Sequence, residues 1–373
     1  MDAATSDTAW LQAMLDVESA LARAGAAVGL IPPDAADLIA SACQAQLVEI
    51  GDIAHGWAAQ ATPVIALVDR IRLLVEDEQV ARYVHLAATS QDVLDTATAL
   101  VARNAFDVAA ADLVAVIASL AELARAHRDT PQVGRTLLQQ GAVTTFGASC
   151  AARLTAVNEA LGALALLLRE RLAAQLGGAV GTLAPAGDRG VDLAREFAQE
   201  LGLNEPVTPW HTTRGRVAEL AAAIGVLCGE LAGVAQDVVL LSATEIGEVH
   251  VAAPGGSSAM PHKQNPASAV LALACAHRVP GLVSTVLAGM PQELQRSAGR
   301  WQAEWATLNE LLRLLAGVAR HTRASVEGLD VDVDRMRAHV DQLLAGATLD
   351  VGSAPAFVDR ALARFTVSEG PTP

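Results

Sequence analysis

The chain has 373 residues, more than one compact core ordinarily holds, so two or three structural units are the starting expectation. Hydrophobic residues make up 52% and aromatics only 3%, so the core has to be filled by Ala, Leu and Val, a composition that suits closely approaching helices. A net charge of −15 and a pI near 5.0 argue against nucleic acid or anionic membrane as a partner, and attraction for an anionic substrate must then be local.

At the N-terminus, Met1 to Ala4 show neither a basic nor an apolar leader region, and no uninterrupted apolar run approaches the roughly 18 residues of a membrane span. A cytoplasmic location is the expectation. Cys43, Cys150, Cys228 and Cys275 are far apart and without CxxC spacing, which predicts buried thiols rather than disulfides or a zinc site. The spacing of Leu11, Met14, Leu15, Val17 and Leu21 predicts a helix over 10–27, stopped by Gly29 and Pro32-Pro33. A second helix is expected over 34–49, no assignment is made for 51–60, and a third helix runs from Val64 to about Ala81.

His85 is followed by Thr89, Ser90, Gln91 and Asp92, and Thr89 with Asp92 three places on has the form of a capping pair opening a long helix towards Arg128. Hydroxyls, an amide side chain and free backbone amides at one helix start can also grip a carboxylate. Residues 134–147 read as a loop entering a helix of about 30 residues. The Gly-rich break from Gly177 to Gly190 lacks the order and the strand context of a dinucleotide site. After Pro209-Trp210-His211, Arg214 and Arg216 are candidate anion ligands at the start of a helix expected over 217–249.

Between two apolar helical stretches lies Gly255-Gly256-Ser257-Ser258-Ala259-Met260-Pro261-His262-Lys263-Gln264-Asn265-Pro266. The glycines free the backbone, and Lys263 is the chain's one lysine among 26 basic residues. Asn265-Pro266 has the form of an N-cap followed by proline at the first helical position, so a helix is expected over 266–288 with its free amides near Lys263. A further helix follows over 298–325.

These segments resemble the fumarase/aspartase superfamily, whose members form or break a bond β to a carboxylate through an enolate-like intermediate. The likeness rests on 85–97, on 134–147, on Pro209 to Arg216, on Thr244 to Val249 and above all on 256–266. The segment from Pro209 to Arg216, with 292–296 and 299–305, is similar to the carboxymuconate cycloisomerase branch. The resemblance implies an all-α, long-helix bundle with a small helical N-terminal domain (1–87), a central bundle (88–327) and a reduced helical C-terminal domain (328–373), most of which is skipped between Leu344 and Leu349. It implies a homotetramer with sites shared among subunits, a small tricarboxylate substrate, and no cofactor or metal. By match, Ser257 transfers a proton, Lys263, Asn265, Thr89, Ser90 and Gln91 hold carboxylates, and His85 stands where adenylosuccinate lyases carry a functional His. Gln140 takes the place of a proton-transferring His and can hydrogen-bond but not exchange a proton near neutral pH. Adenylosuccinate lyase activity, and a helical homologue impaired by Gln140, His250, Leu294, Gln302 and the shortened end, are the alternatives.

Overall fold

A computed structural model describes residues 1–365; 366–373, the last part of the expected C-terminal segment, lie outside the described residues. Ala-, Leu- and Val-rich stretches with apolar residues at helical spacing form helices almost throughout. In order these are α1 (Asp7–Ala27), α2 (Pro33–Ala42), α3 (Ile50–Gln60), α4 (Val64–Val75), α5 (Ser90–Ala126), α6 (Phe146–Arg171), α7 (Gly190–Glu200), α8 (Gly215–Leu241), α9 (Ala267–Ala276), α10 (Val279–Gly289), α11 (Arg300–Val326), α12 (Val333–Leu344) and α13 (Ala354–Arg364). Two small antiparallel pairs accompany them: β1 (Pro131–Thr136) with β2 (Gln139–Thr145), and β3 (Val249–His250) with β4 (Asp330–Val331). The all-α, long-helix architecture expected from the sequence is the observed one.

Contacts divide the chain into two compact units, each assembled from three stretches. The first comprises Met1–Val108, Ala165–Ala222 and Gly281–Arg313. Its N-terminal helices pack through one stripe: α1 is capped by Ser6, whose Oγ accepts from the Ala9 amide at 3.2 Å, and it buries Leu11, Leu15, Leu21 and Ala24. The second helix stops at Ala42, short of the expected 49, and 51–60 is helical. The second unit comprises Ala109–Leu164, Ala223–Pro280 and Leu314–Pro373. Within it, α8 buries Ile224, Leu227, Cys228, Leu231, Val234, Ala235 and Val238, a repeat of three and four residues that makes one apolar seam.

Three expectations are corrected. The residues read as a loop at 134–145 form the β1–β2 hairpin, whose two-residue turn places Leu137 at φ 53° and Leu138 at φ 62°. Such turns ordinarily use Asn and Gly, because both central residues must be left-handed. The single helix expected over 266–288 is two, because Pro280 has no N–H for the Ala276 carbonyl and its ring crowds that carbonyl. The helix expected to reach Val249 ends at Leu241, and after a turn with Gly247 at φ 60° the chain pairs Val249 with Val331.

The described residues after Gly328 belong to the second unit and contribute to its core. Met336 and Val358 are fully buried in a cluster with Ala124, Phe146, Cys150 and Val249. Arg128 grips Asp359 through two 2.7 Å hydrogen bonds. Counting apolar runs missed one property: α6, α8 and residues 267–289 are long and apolar enough, by length and composition, to cross a membrane. In the single chain only 28% of the apolar window of α6 and 22% of that in 267–289 is buried.

Candidate active site

In the first unit the segment 85–92 gathers several candidates. His85 (φ 64°) and Ala87 (φ 62°) are left-handed just before the α5 start, a strain on the order of 1–3 kcal/mol for each non-glycine residue. His85 Nδ1 lies 2.6 Å from Oε1 of the fully buried Glu18 on α1. Burial alone would push the imidazole pKa down; Glu18 outweighs this, Asp92 adds to it and Arg72 opposes it, so the value lies above the ordinary one.

Thr89 and Asp92 form the expected capping pair, the Thr89 amide donating to Asp92 Oδ2 at 2.9 Å. The buried Asp92 does more: it accepts from the amides of Gly177 (3.0 Å) and Gly178 (2.9 Å) and from Gln175 Nε2 (3.2 Å), and it meets His211 Nε2 at 2.7 Å. This explains the glycine pair in the Gly-rich break. A Cβ on Gly177 would stand 2.7 Å from Pro209 and 2.9 Å from His211, and Gly178 is left-handed at φ 67°. The carboxylate thereby fixes the helix start that presents Thr89 and Ser90.

Gln91 and Arg214 turn inward. Gln91 is buried and donates to the His211 carbonyl (2.7 Å) and to Asp95 (3.1 Å). Arg214, 2% exposed, spends its guanidinium on Asp95, at 2.7 and 2.9 Å, and on Glu304, with Nε at 3.1 and 3.2 Å from the two carboxylate oxygens. Its face lies 5.1 Å from the Trp210 ring centroid. The structure therefore gives Arg214 to two carboxylates of its own unit rather than leaving it open to substrate. Arg216 donates to the Arg171 carbonyl at 2.9 Å. The cation that does stand at the α5 start is Arg296, whose Nη1 donates to Thr89 Oγ1 and whose guanidinium lies 5.7 Å from the Trp301 centroid. Arg296 carries no role in the sequence reading, although it closes the segment 292–296 used for the resemblance. Nothing in local spacing pairs it with a residue 207 places earlier.

In the second unit the loop 255–265 holds three candidates together. Gly255 and Asn265 pair through backbone bonds of 2.8 and 2.9 Å. Asn265 does not cap the next helix as expected. Its side-chain amide donates to the carbonyls of Gly255 (3.3 Å) and Gly256 (3.1 Å), closing the loop at its base, and α9 begins at Ala267. Gly255 is needed there, since a Cβ would come within 2.7 Å of Ala267 Cβ. Ser257 Oγ accepts from the amides of Ala259 (3.3 Å) and Met260 (3.1 Å), donors that would also stabilise an alkoxide. Lys263 is exposed on the same loop.

Gln140 stands on β2 opposite Arg135 and lines a cavity of about 570 Å³ with Gln132, Arg135, Ser149 and His339. Beside it the buried Glu248 accepts from Arg135 (2.6 and 3.1 Å) and Gln132 (3.2 Å) and meets His339 Nδ1 at 2.7 Å. Burial would raise the Glu248 pKa; Arg135 and His339 together hold it below the ordinary carboxylate value.

A helix start bearing two hydroxyls beside an arginine, and a serine loop with backbone amides on the hydroxyl oxygen, belong to an enzyme of the long-helix lyase class. Residues 1–281 match a protein family described as a lyase. The chain is 45% identical to 3-carboxy-cis,cis-muconate cycloisomerase of Bradyrhizobium diazoefficiens over 91% of its own length and 77% of the relative's. It is 42% identical to nitrosuccinate lyase of Streptomyces davaonensis, over 91% of this chain and 74% of that one. The crystal structure of the 3-carboxy-cis,cis-muconate lactonizing enzyme of Pseudomonas putida superposes with a TM-score of 0.85 at 39% identity, covering 96% of this chain and 83% of that one. The chain belongs to this lyase family, the fumarase/aspartase superfamily.

Proposed function

We propose that the chain is a cycloisomerase that lactonises 3-carboxy-cis,cis-muconate to 4-carboxymuconolactone without a cofactor, in protocatechuate breakdown. The observation that carries this reading is 45% identity to a cycloisomerase over 91% of the chain, which also has the Thr89-Ser90 and Ser257 segments that resemble the superfamily. One substrate carboxylate oxygen attacks the β carbon of the diene, and the displaced π pair builds a second negative charge on the neighbouring carboxylate. A proton from Ser257 Oγ then goes to the α carbon, and solvent restores the serine proton. The amides of Ala259 and Met260 stabilise the transient alkoxide, and Lys263 supplies positive charge on the same loop. Thr89, Ser90 and Arg296 bind the carboxylate that gains charge, a task for which fixed donors are the efficient solution.

The apolar faces that α6, α8 and 267–289 leave open in the single chain support a homotetramer, with Thr89, Gln140 and Ser257 meeting from different copies. Its place is the cytoplasm. Incubation with 3-carboxy-cis,cis-muconate, following loss of the diene absorbance, tests the activity. Release of nitrite from nitrosuccinate with no change in the diene would assign the chain to the other relative's reaction.

A further inference from the structure

We infer that Glu18 is a positioning residue of the active site, which holds His85 as a charged donor to a substrate carboxylate at the Thr89-Ser90 corner. The inference rests on reading that corner as a substrate site. Four observations carry it. First, Glu18 is a carboxylate with no exposure, on a helix whose other buried positions are Ala, Leu, Met, Val and Gly, and buried acids are rarely kept without a charged partner. Second, its Oε1 accepts a hydrogen bond from His85 Nδ1 at 2.6 Å while Oε2 has no hydrogen-bond partner among the described residues, so the carboxylate is committed to the imidazole and not to the packing of α1.

Third, His85 is held left-handed, as is Ala87, although neither is a glycine. Strain of this kind persists only where the surroundings over-determine the geometry. Fourth, with Nδ1 used, Nε2 has no hydrogen-bond partner among the described residues, and the side chain keeps 17% exposure four residues before Thr89. A carboxylate on one ring nitrogen fixes the tautomer and presents the other nitrogen as donor. The charged groups that act on His85 from the packed elements are Glu18 on α1, Arg72 on α4 and Asp92 on α5. Burial and the arginine act against the charged ring and the two acids outweigh them, so the ring carries its proton at a higher pH than a free histidine does. With glutamine at 140, His85 is the one titrating imidazole among the candidate residues.

Glu18→Gln keeps the volume and removes the charge. In the assembled protein the His85 ring signal, assigned by its absence in His85→Gln, should titrate above the ordinary histidine value in wild type and lower in Glu18→Gln, where burial and Arg72 are opposed only by Asp92. For turnover of 3-carboxy-cis,cis-muconate, kcat/KM should fall on the order of 10²-fold at pH 8, within the range a positioned acid–base group contributes. Most of that loss should be regained at pH 5.5, where the imidazolium forms without help. Glu18→Asp should restore part of the activity at pH 8. An unchanged His85 titration, or an equal loss at both pH values, overturns the inference. If Glu18→Gln does not fold, the wild-type titration alone decides: a His85 value at or below that of free histidine overturns it. Because the titration needs no substrate, a chain inactive on the muconate but with a raised His85 value would refute the activity and leave the dyad standing.

Discussion

Replacing Arg214 separates a structural cation from a substrate ligand. The guanidinium is 2% exposed and bridges Asp95 and Glu304, which are 4% and 2% exposed, so Arg214→Ala leaves two buried carboxylates without their cation. Removing one partner of a buried pair costs about 3–5 kcal/mol. The higher end is not doubled by the second carboxylate, because both keep other donors: Asp95 retains Gln91 Nε2 at 3.1 Å and Trp301 Nε1 at 3.0 Å, and Glu304 retains Gln292 Nε2 at 2.9 Å. For a chain of 373 residues that loss corresponds to a drop in Tm of roughly 4–6 °C. It should be read by circular dichroism at fixed protein concentration, because assembly contributes to Tm. Arg214→Lys, which keeps a charge but not the two-sided fork, should fall between wild type and Arg214→Ala. The protein that remains folded should keep its KM within about threefold, since the geometry in hand offers substrate no free face of Arg214. A Tm within 1 °C of wild type together with a large rise in KM would refute the structural assignment.

Ser257→Ala should lower kcat by about 10²–10⁴-fold, the contribution of a positioned proton-transfer group, with Tm nearly unchanged because the loop is exposed; Ser258→Ala should do less, and equal rates for Ser257→Ala and wild type would remove Ser257 from the mechanism. Mixing inactive Ser257→Ala with inactive Thr89→Ala should recover part of the activity through hybrid sites, and no recovery after demonstrated subunit exchange would count against shared sites. Glu248→Gln should destabilise the protein near neutral pH. Since the folded Glu248 pKa lies below its ordinary value, the stability it contributes is present above that value and is lost as pH falls through the folded one, so the gap in Tm between variant and wild type should close on acidification. A gap constant from pH 7 to pH 3 would show that charge is not what Glu248 contributes. Limited proteolysis should cut first between Gly255 and Lys263, where the exposed loop is tied only at its base, and Asn265→Ala should speed the cut.

Local chemistry made the helical class, the α1, α5 and α11 helices and the two candidate segments legible in the sequence. Helical periodicity and the Thr89–Asp92 cap depend on neighbours within four residues, and the single lysine with its Gly-Ser loop stands out from a composition that otherwise avoids lysine. The Pro280 break is equally local, but the apolar pattern that continues on both sides of it conceals it. The β1–β2 hairpin was not legible, because its turn uses Leu137 and Leu138 where turn chemistry asks for Asn and Gly. What only the tertiary structure decided is where each charge is spent. Arg214 and Arg216 read alike as anion ligands until Asp95 and Glu304 are seen to surround the first and the Arg171 carbonyl to take the second. Nothing along the chain links Glu18 to His85, 67 residues on, or Arg296 to Thr89, 207 residues earlier, yet the fold joins each pair by a hydrogen bond. The cost of leaving a charge buried and unpaired is set by whatever the fold brings within about 4 Å, and no spacing along the chain encodes that distance.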